Sequence, residues 1–187
     1  MLDHFDLLAP LYDRFIGAPD PAQLRALLDL QPGSRVLDAG GGTGRVAAQL
    51  RPLVGDLVLL DQSLPMLQQA RTKGLEPLRG DVTQMPFPDA SFERVVVVDA
   101  LHHFMHPQEA IRDLWRVLKP GGRLVIEEPD IKLGTVKLVA LAEWLAMMGS
   151  HFFTGEEIRG MVRSHGAISR IERDGNFSVW VIGDKPI

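Results

Sequence analysis

The sequence predicts an α/β fold built on a doubly wound, largely parallel sheet, and three observations carry that prediction. Between residues 35 and 127, short apolar runs alternate with segments of helical spacing, the pattern of strands joined by crossover helices. A glycine-rich loop, Gly40-Gly41-Gly42-Thr43-Gly44, separates the first apolar run from the first helix that follows it. After residue 153 the alternation stops, and a capping box opens one helix ahead of two strand-like runs.

Each element has a local reason. Asp20-Pro21 reads as an N-cap and first helical residue, opening a helix to about Leu30 that stops at Gln31-Pro32-Gly33. Strand one is Arg35–Ala39, and Val46-Ala47-Ala48-Gln49-Leu50 are good helix formers after the glycine loop. Leu57–Asp61 is a continuous apolar run ending in an acid, as a buried parallel strand would be. Ser63 caps a helix running to about Lys73, with Gly74 as its stop. Leu75–Arg79 is a third strand, followed by Gly80-Asp81, and Arg94–Asp99 with Val95-Val96-Val97-Val98 is the fourth. Pro107–Leu118 has apolar residues at 110, 111, 114, 115, 117 and 118, a helical spacing that ends at Lys119-Pro120-Gly121-Gly122. Leu124–Glu127 is the fifth strand. Thr154-Gly155-Glu156-Glu157 is the capping box of a helix to His165. Ile168–Arg173 and Phe177–Ile182, joined by Asp174-Gly175-Asn176, form a terminal hairpin. Leu133–Met148 is apolar almost all round, with Trp144, Met147 and Met148 near its end. Such a segment is buried core, an oligomer contact or the wall of an apolar pocket.

Bulk properties bound the function. A length of 187 residues suggests one domain, 1–187, large enough to bury a core without staples. The absence of cysteine removes disulfides, thiolate metal sites and a cysteine nucleophile. A net charge of -4 argues against a nucleic-acid partner. No run suits a transmembrane helix, and Asp3 and Asp6 do not suit a signal peptide. A cytoplasmic protein is expected, with peripheral membrane contact and homo-oligomerisation left open.

The segment Val36-Leu37-Asp38-Ala39-Gly40-Gly41-Gly42-Thr43-Gly44-Arg45 is the strand, glycine loop and helix start of a nucleotide-type cofactor site. The glycines admit two readings. Gly42-x-Gly44-x-x-Ala47, with Asp61 about twenty residues on, satisfies the dinucleotide fingerprint of a nicotinamide-dependent oxidoreductase. Asp38, two residues before the first glycine, instead offers a carboxylate to an ammonium group. The loop Asp-x-Gly-x-Gly-x-Gly resembles motif I of the class I methyltransferases that use S-adenosylmethionine (SAM). Three further segments share that resemblance: Leu59-Leu60-Asp61-Gln62-Ser63, Gly80-Asp81-Val82 with Met85-Pro86-Phe87-Pro88-Asp89-Ala90-Ser91-Phe92-Glu93, and Leu118-Lys119-Pro120-Gly121-Gly122-Arg123-Leu124. With Phe5-Asp6-x-x-Ala9-Pro10-x-Tyr12-Asp13, the chain most resembles the subgroup containing the ubiquinone and menaquinone biosynthesis C-methyltransferases. It departs from that subgroup in having Gly41 where cysteine is frequent and only residues 131–153 as an acceptor-side segment after strand five.

The resemblance implies a Rossmann-like seven-stranded sheet of order 3-2-1-4-5-7-6 with strand seven antiparallel. It also implies methyl transfer from SAM, with S-adenosylhomocysteine (SAH) as product, to a small apolar or aromatic acceptor by in-line displacement. Gly40, Gly42 and Gly44 would position the methionine end, with Asp38 acting directly or through the loop backbone. Asp61 and Gln62 would hold the ribose, Asp81 and Val82 the adenine, and Asp99 would complete the set at the end of strand four. Met66 covers the adenine or is plain core, and Tyr12 belongs to an N-terminal lid over 1–18 or to ordinary packing. His103 is the candidate base, its alternative being to shape the pocket. Glu127 and Glu128 face the acceptor or solvent. His102, His103, His106 and Glu109 invite a metal reading, but Pro107 breaks any shared helical face, so no metal is expected. A protein that binds SAM or SAH without turnover is the rival from another class.

Overall fold

A computed structural model describes residues 19–132, 151–173 and 177–187. The expectations placed on Tyr12 and the rest of 1–18, on Leu133–Met148 and on the turn Asp174-Gly175-Asn176 lie outside these residues. The strands are β1 (Arg35–Ala39), β2 (Asp56–Asp61), β3 (Leu78–Arg79), β4 (Phe92–Val98), β5 (Leu118–Pro129), β6 (Ile168–Arg173) and β7 (Ser178–Asp184). They form one sheet in the order β3-β2-β1-β4-β5-β7-β6. β7 runs antiparallel to both neighbours, and the remaining pairings are parallel. This is the topology that the resemblance implies.

The described α-helices are α1 (Pro21–Leu28), α2 (Arg45–Leu50), α3 (Leu64–Thr72), α4 (Pro107–Val117) and α5 (Gly155–Arg163). The valine run of β4 shows why both sheet faces need cover. Val95 and Val97 join one apolar cluster with Ile111, Leu114, Ile158 and Val162 of α4 and α5. Val96 and Val98 join another with Leu24, Leu28, Val46 and Leu50 of α1 and α2. Side chains alternate faces along a strand, so a continuous apolar run is what two helical layers require. The helix starts follow the sequence. The Asp20 side chain accepts from the Ala22 N–H at 3.0 Å, that of Ser63 accepts from Met66 at 3.4 Å, and Thr154 and Glu157 form a reciprocal capping box.

β2, β4 and β7 shift by one or two residues at their ends, and two strands differ more from their expected lengths. β5 begins at Leu118 rather than Leu124, because Leu118 already pairs with Phe92 before the register shifts between Phe92 and Arg94. Lys119-Pro120-Gly121-Gly122 is thus an irregularity inside the strand, with Gly121 at a φ of 73°. β3 shrinks to Leu78–Arg79 at the exposed sheet edge, where only two residues pair with β2.

The loop between β3 and β4 is held by α4. Asp113 is buried and accepts from the Met85 N–H at 2.7 Å and from Arg116 Nε at 2.6 Å. Arg116 donates onward to the Phe87 and Met85 carbonyls and to Asp89. Asp113→Ala leaves the buried Met85 N–H and the Arg116 Nε–H without their acceptor. It is expected to cost about 2 kcal/mol, read as a lower urea midpoint at unchanged slope.

Candidate active site

The C-terminal ends of β1, β2 and β4 open on a cleft lined by Asp38, Asp61, Asp99 and the glycine loop. The strand order reverses here, since β1 is flanked by β2 on one side and β4 on the other, and such a switch point leaves a crevice between the diverging loops. The glycine loop supplies one wall. Gly40 and Gly41 both donate to the Leu60 carbonyl, at 2.8 and 3.2 Å. Gly40, Gly42 and Gly44 have φ values of 71°, 52° and 75°, the left-handed region that only glycine adopts without strain. The three differ in their surroundings. A Cβ on Gly42 would meet nothing closer than Asp61 Oδ2 at 3.9 Å, whereas one on Gly44 would lie 2.4 Å from Leu75 Cδ1. Gly42 therefore keeps the cleft clear, while Gly44 packs one step behind the wall, against α3 and the residues after it.

Asp61 ends β2 and grips the loop. Its Oδ2 accepts from the Gly42 N–H at 2.9 Å and its Oδ1 from the Ser63 N–H at 2.8 Å. Burial pushes this carboxyl up, and the backbone N–H groups of Ser63, Gly42 and Gln62 oppose that shift. Gln62, Ser63 and Met66 continue the wall, and Met66 both faces the cleft and is only 5% exposed.

Asp38 lies on the same cleft and is 1% exposed. Burial raises its carboxyl to about 7, with Arg45 and the Ala47 N–H opposing and Asp61 adding to the shift. Its Oδ2 is buried without a hydrogen-bond partner, a costly state for a carboxylate oxygen unless a donor arrives. An acid whose folded pKa lies above its unfolded one stabilises the fold below the unfolded value, and that contribution is lost as pH rises towards the folded value. The window here runs from about pH 4 to about pH 7. Asp38→Asn is therefore expected to raise the melting temperature of ligand-free protein at pH 8, by a margin that shrinks as the buffer is taken to pH 5.

The far wall follows β4 and carries Asp99, Ala100, His103 and Phe104. Asp99 takes a left-handed φ of 53° and pairs with Arg45 at 3.5 Å, the two side chains being 15% and 10% exposed. Arg45 was not among the residues expected from the sequence. The position after the last loop glycine reads as an ordinary helix start until the fold sets it between Asp99 and Asp38. Burial and the neighbouring His102 push the His103 imidazole down to about 3, so it is neutral at physiological pH and a weak base. Gly80 and Val82 line the cleft from the β3 side. Asp81, between them, is exposed and off the wall. Its Oδ1 accepts from the Thr83 N–H and hydroxyl, both at 2.8 Å.

Neither Glu127 nor Glu128 faces solvent, which corrects one of the two expectations for them; they are 6% and 1% exposed. Burial raises Glu127 to about 7, against a hydrogen bond from Ser178. Glu128 Oε2 pairs with His102 Nδ1 at 2.6 Å.

A family model described as a methyltransferase domain matches residues 37–126. A ubiquinone/menaquinone biosynthesis C-methyltransferase, UbiE, from Pseudomonas paraeruginosa is 40% identical over 113 residues, which are 54% of this chain and 44% of the relative. The chain thus spans less than half the length of the curated relatives it matches. Among solved structures, a complex of the Haloferax volcanii Trm112 methyltransferase activator with a putative methyltransferase aligns over 100% of both chains at 21% identity and a TM-score of 0.81. A Haemonchus contortus phosphoethanolamine N-methyltransferase 2 bound to SAM aligns over 97% of this chain and 57% of its own at 18% identity and a TM-score of 0.80. The fold is therefore the one on which methyltransferases are built.

Proposed function

We propose, for a chain whose residues 37–126 match a methyltransferase domain within the SAM-dependent methyltransferase fold, that it transfers a methyl group from SAM to a small-molecule acceptor. The observation that carries this reading is the pairing of two carboxylates on one glycine-lined cleft, Asp61 half-buried and Asp38 buried with an unpartnered oxygen. The donor set fits a ligand that brings an ammonium and a diol. Asp38 Oδ2 can accept from the ammonium. Asp61 keeps acceptor capacity for the ribose hydroxyls beyond the two N–H groups it already serves, since a carboxylate offers about four lone-pair sites. Gln62 stands beside it, and Met66 and Val82 supply apolar cover for the adenine. Asp81 contributes from outside the wall, through the turn it makes with Thr83.

When bound, SAM supplies a methyl group on a sulfonium that is already a strong electrophile. What remains for the protein is alignment and exclusion of water. His103 is neutral and held in the wall, so it orients an acceptor hydroxyl or amine by hydrogen bonding rather than taking its proton outright. Asp99, Ala100 and Phe104 shape the acceptor end of the cleft. The acceptor is small and apolar or aromatic in this reading.

Calorimetric titration of ligand-free protein with SAM, SAH and NADH in parallel tests the cofactor. Selective binding of the first two is expected, and binding of NADH alone would return the glycine loop to its nicotinamide reading. A protein that binds SAM without turnover would pass this test. It would then release no SAH across a panel of phenols, quinols and amines.

A further inference from the structure

We propose that His102 and Glu128 form a buried positioning clamp that fixes the β4-proximal wall of the cleft, holding His103 and Phe104 in place without touching a ligand themselves. Three hydrogen bonds meet on one carboxylate. Glu128 Oε1 accepts from the N–H groups of Ala100 and Leu101 at 3.1 and 2.6 Å, and Oε2 pairs with His102 Nδ1 at 2.6 Å. Glu128 is 1% exposed and His102 2% exposed, so water cannot substitute for any partner. Neither side chain is on the cleft wall, yet Ala100, His103 and Phe104, which flank the clamped backbone, all are.

The clamp also reaches the segment that precedes α5. The His102 ring stacks on Phe152 with centroids 4.7 Å apart and planes at 19°, and lies 3.8 Å from the His103 ring. The His102 carbonyl accepts from the His151 N–H at 2.7 Å. One histidine thus ties together the end of β5, the loop after β4 and residues 151–152. A carboxylate that serves two backbone donors and orients an imidazole through Nδ1 is how proteins fix ring geometry and tautomer at sites built on loops. His102 serves orientation, and His103 is the residue oriented. The burial that keeps the His103 imidazole hard to protonate follows from the loop being pinned against β5.

The role in SAM binding rests on the function proposed above; the clamp itself is testable without ligand. Two variants separate its parts. His102→Asn keeps a donor where Nδ1 stood and loses the ring, while His102→Phe keeps the ring against Phe152 and leaves Glu128 Oε2 without a donor. In ligand-free protein, titration of the His103 Cε1–H resonance between pH 5 and 8 is expected to show no midpoint in the wild type or His102→Asn, and a midpoint within that range in His102→Phe. In calorimetry, SAH affinity is expected to stay within about threefold of wild type in His102→Asn and to fall at least about tenfold in His102→Phe. Equal behaviour of the two variants in the titration, or the reverse order, overturns the clamp. Should His102→Phe not fold, Glu128→Gln replaces it. In that variant the ring proton of His102 should move from Nδ1 to Nε2 in long-range nitrogen spectra, and an unmoved proton overturns the proposal. Failure of the wild type to bind SAH would instead sink the cofactor reading and leave the ligand-free titration to decide the clamp.

Discussion

Asp61→Ala is expected to weaken SAM binding at least about tenfold in a protein that still folds. The magnitude follows from where the two carboxylate oxygens go. In the ligand-free protein they accept from Gly42 and Ser63, so the side chain orders the glycine loop, and in the proposed reading it also offers acceptors to the ribose. Alanine removes both functions. Each charge-assisted hydrogen bond contributes roughly 1.5–3 kcal/mol, and losing even one toward the ligand reaches the tenfold mark. Asn is not a rescue, because its NH2 group would face the N–H of either Gly42 or Ser63. Asp61→Asn should therefore fall nearer to alanine than to wild type. Calorimetry with SAM on all three proteins, alongside a thermal melt, is the check. Unchanged affinity in a folded Asp61→Ala protein would remove this residue from the ribose site.

Which parts of this site were legible in the sequence depends on how local their cause is. Asp61 could be read because a strand-end acid after an apolar run sits next to its own loop, Ser63, in the chain. The helix caps at Asp20, Ser63 and Thr154 were legible for the same reason: donor and acceptor lie two or three residues apart. The limits of β5 were not, because they are set by pairing with β4, which precedes it across a helix, and with β7, near the end of the sequence. Arg45 and Glu128 mark the same boundary within the site. Arg45 meets Asp99 across 54 residues and Glu128 meets His102 across 26, and no spacing rule joins such pairs. Asp81 lies between two residues that line the cleft, Gly80 and Val82, while its own Oδ1 accepts from Thr83, a local turn that the motif does not spell out.

The glycine loop supplies the second large effect, because sequence treats its glycines alike and the structure does not. Gly44→Ala puts a Cβ 2.4 Å from Leu75 Cδ1 and 3.2 Å from Ala70 Cβ and Leu59 Cδ1, at a φ of 75°. The left-handed strain of about 1–2 kcal/mol and the overpacking of about 1–3 kcal/mol both fall on the fold. A loss near 3 kcal/mol is expected in urea denaturation, and SAM affinity should change only as far as the folded fraction does. Gly42→Ala has the opposite signature. Its Cβ meets only Asp61 Oδ2, at 3.9 Å, so the fold bears the strain of about 1–2 kcal/mol alone. That same Cβ projects into the cleft, where a ligand must approach the backbone closely. Gly42→Ala should therefore lose more SAM affinity than stability, and Gly44→Ala more stability than affinity. Measuring both quantities in both proteins tests the site's placement and not merely its existence. If Gly42→Ala bound SAM as the wild type does, the ligand would have to lie away from the glycine loop, and the cofactor assignment of Asp38 and Asp61 would fail with it.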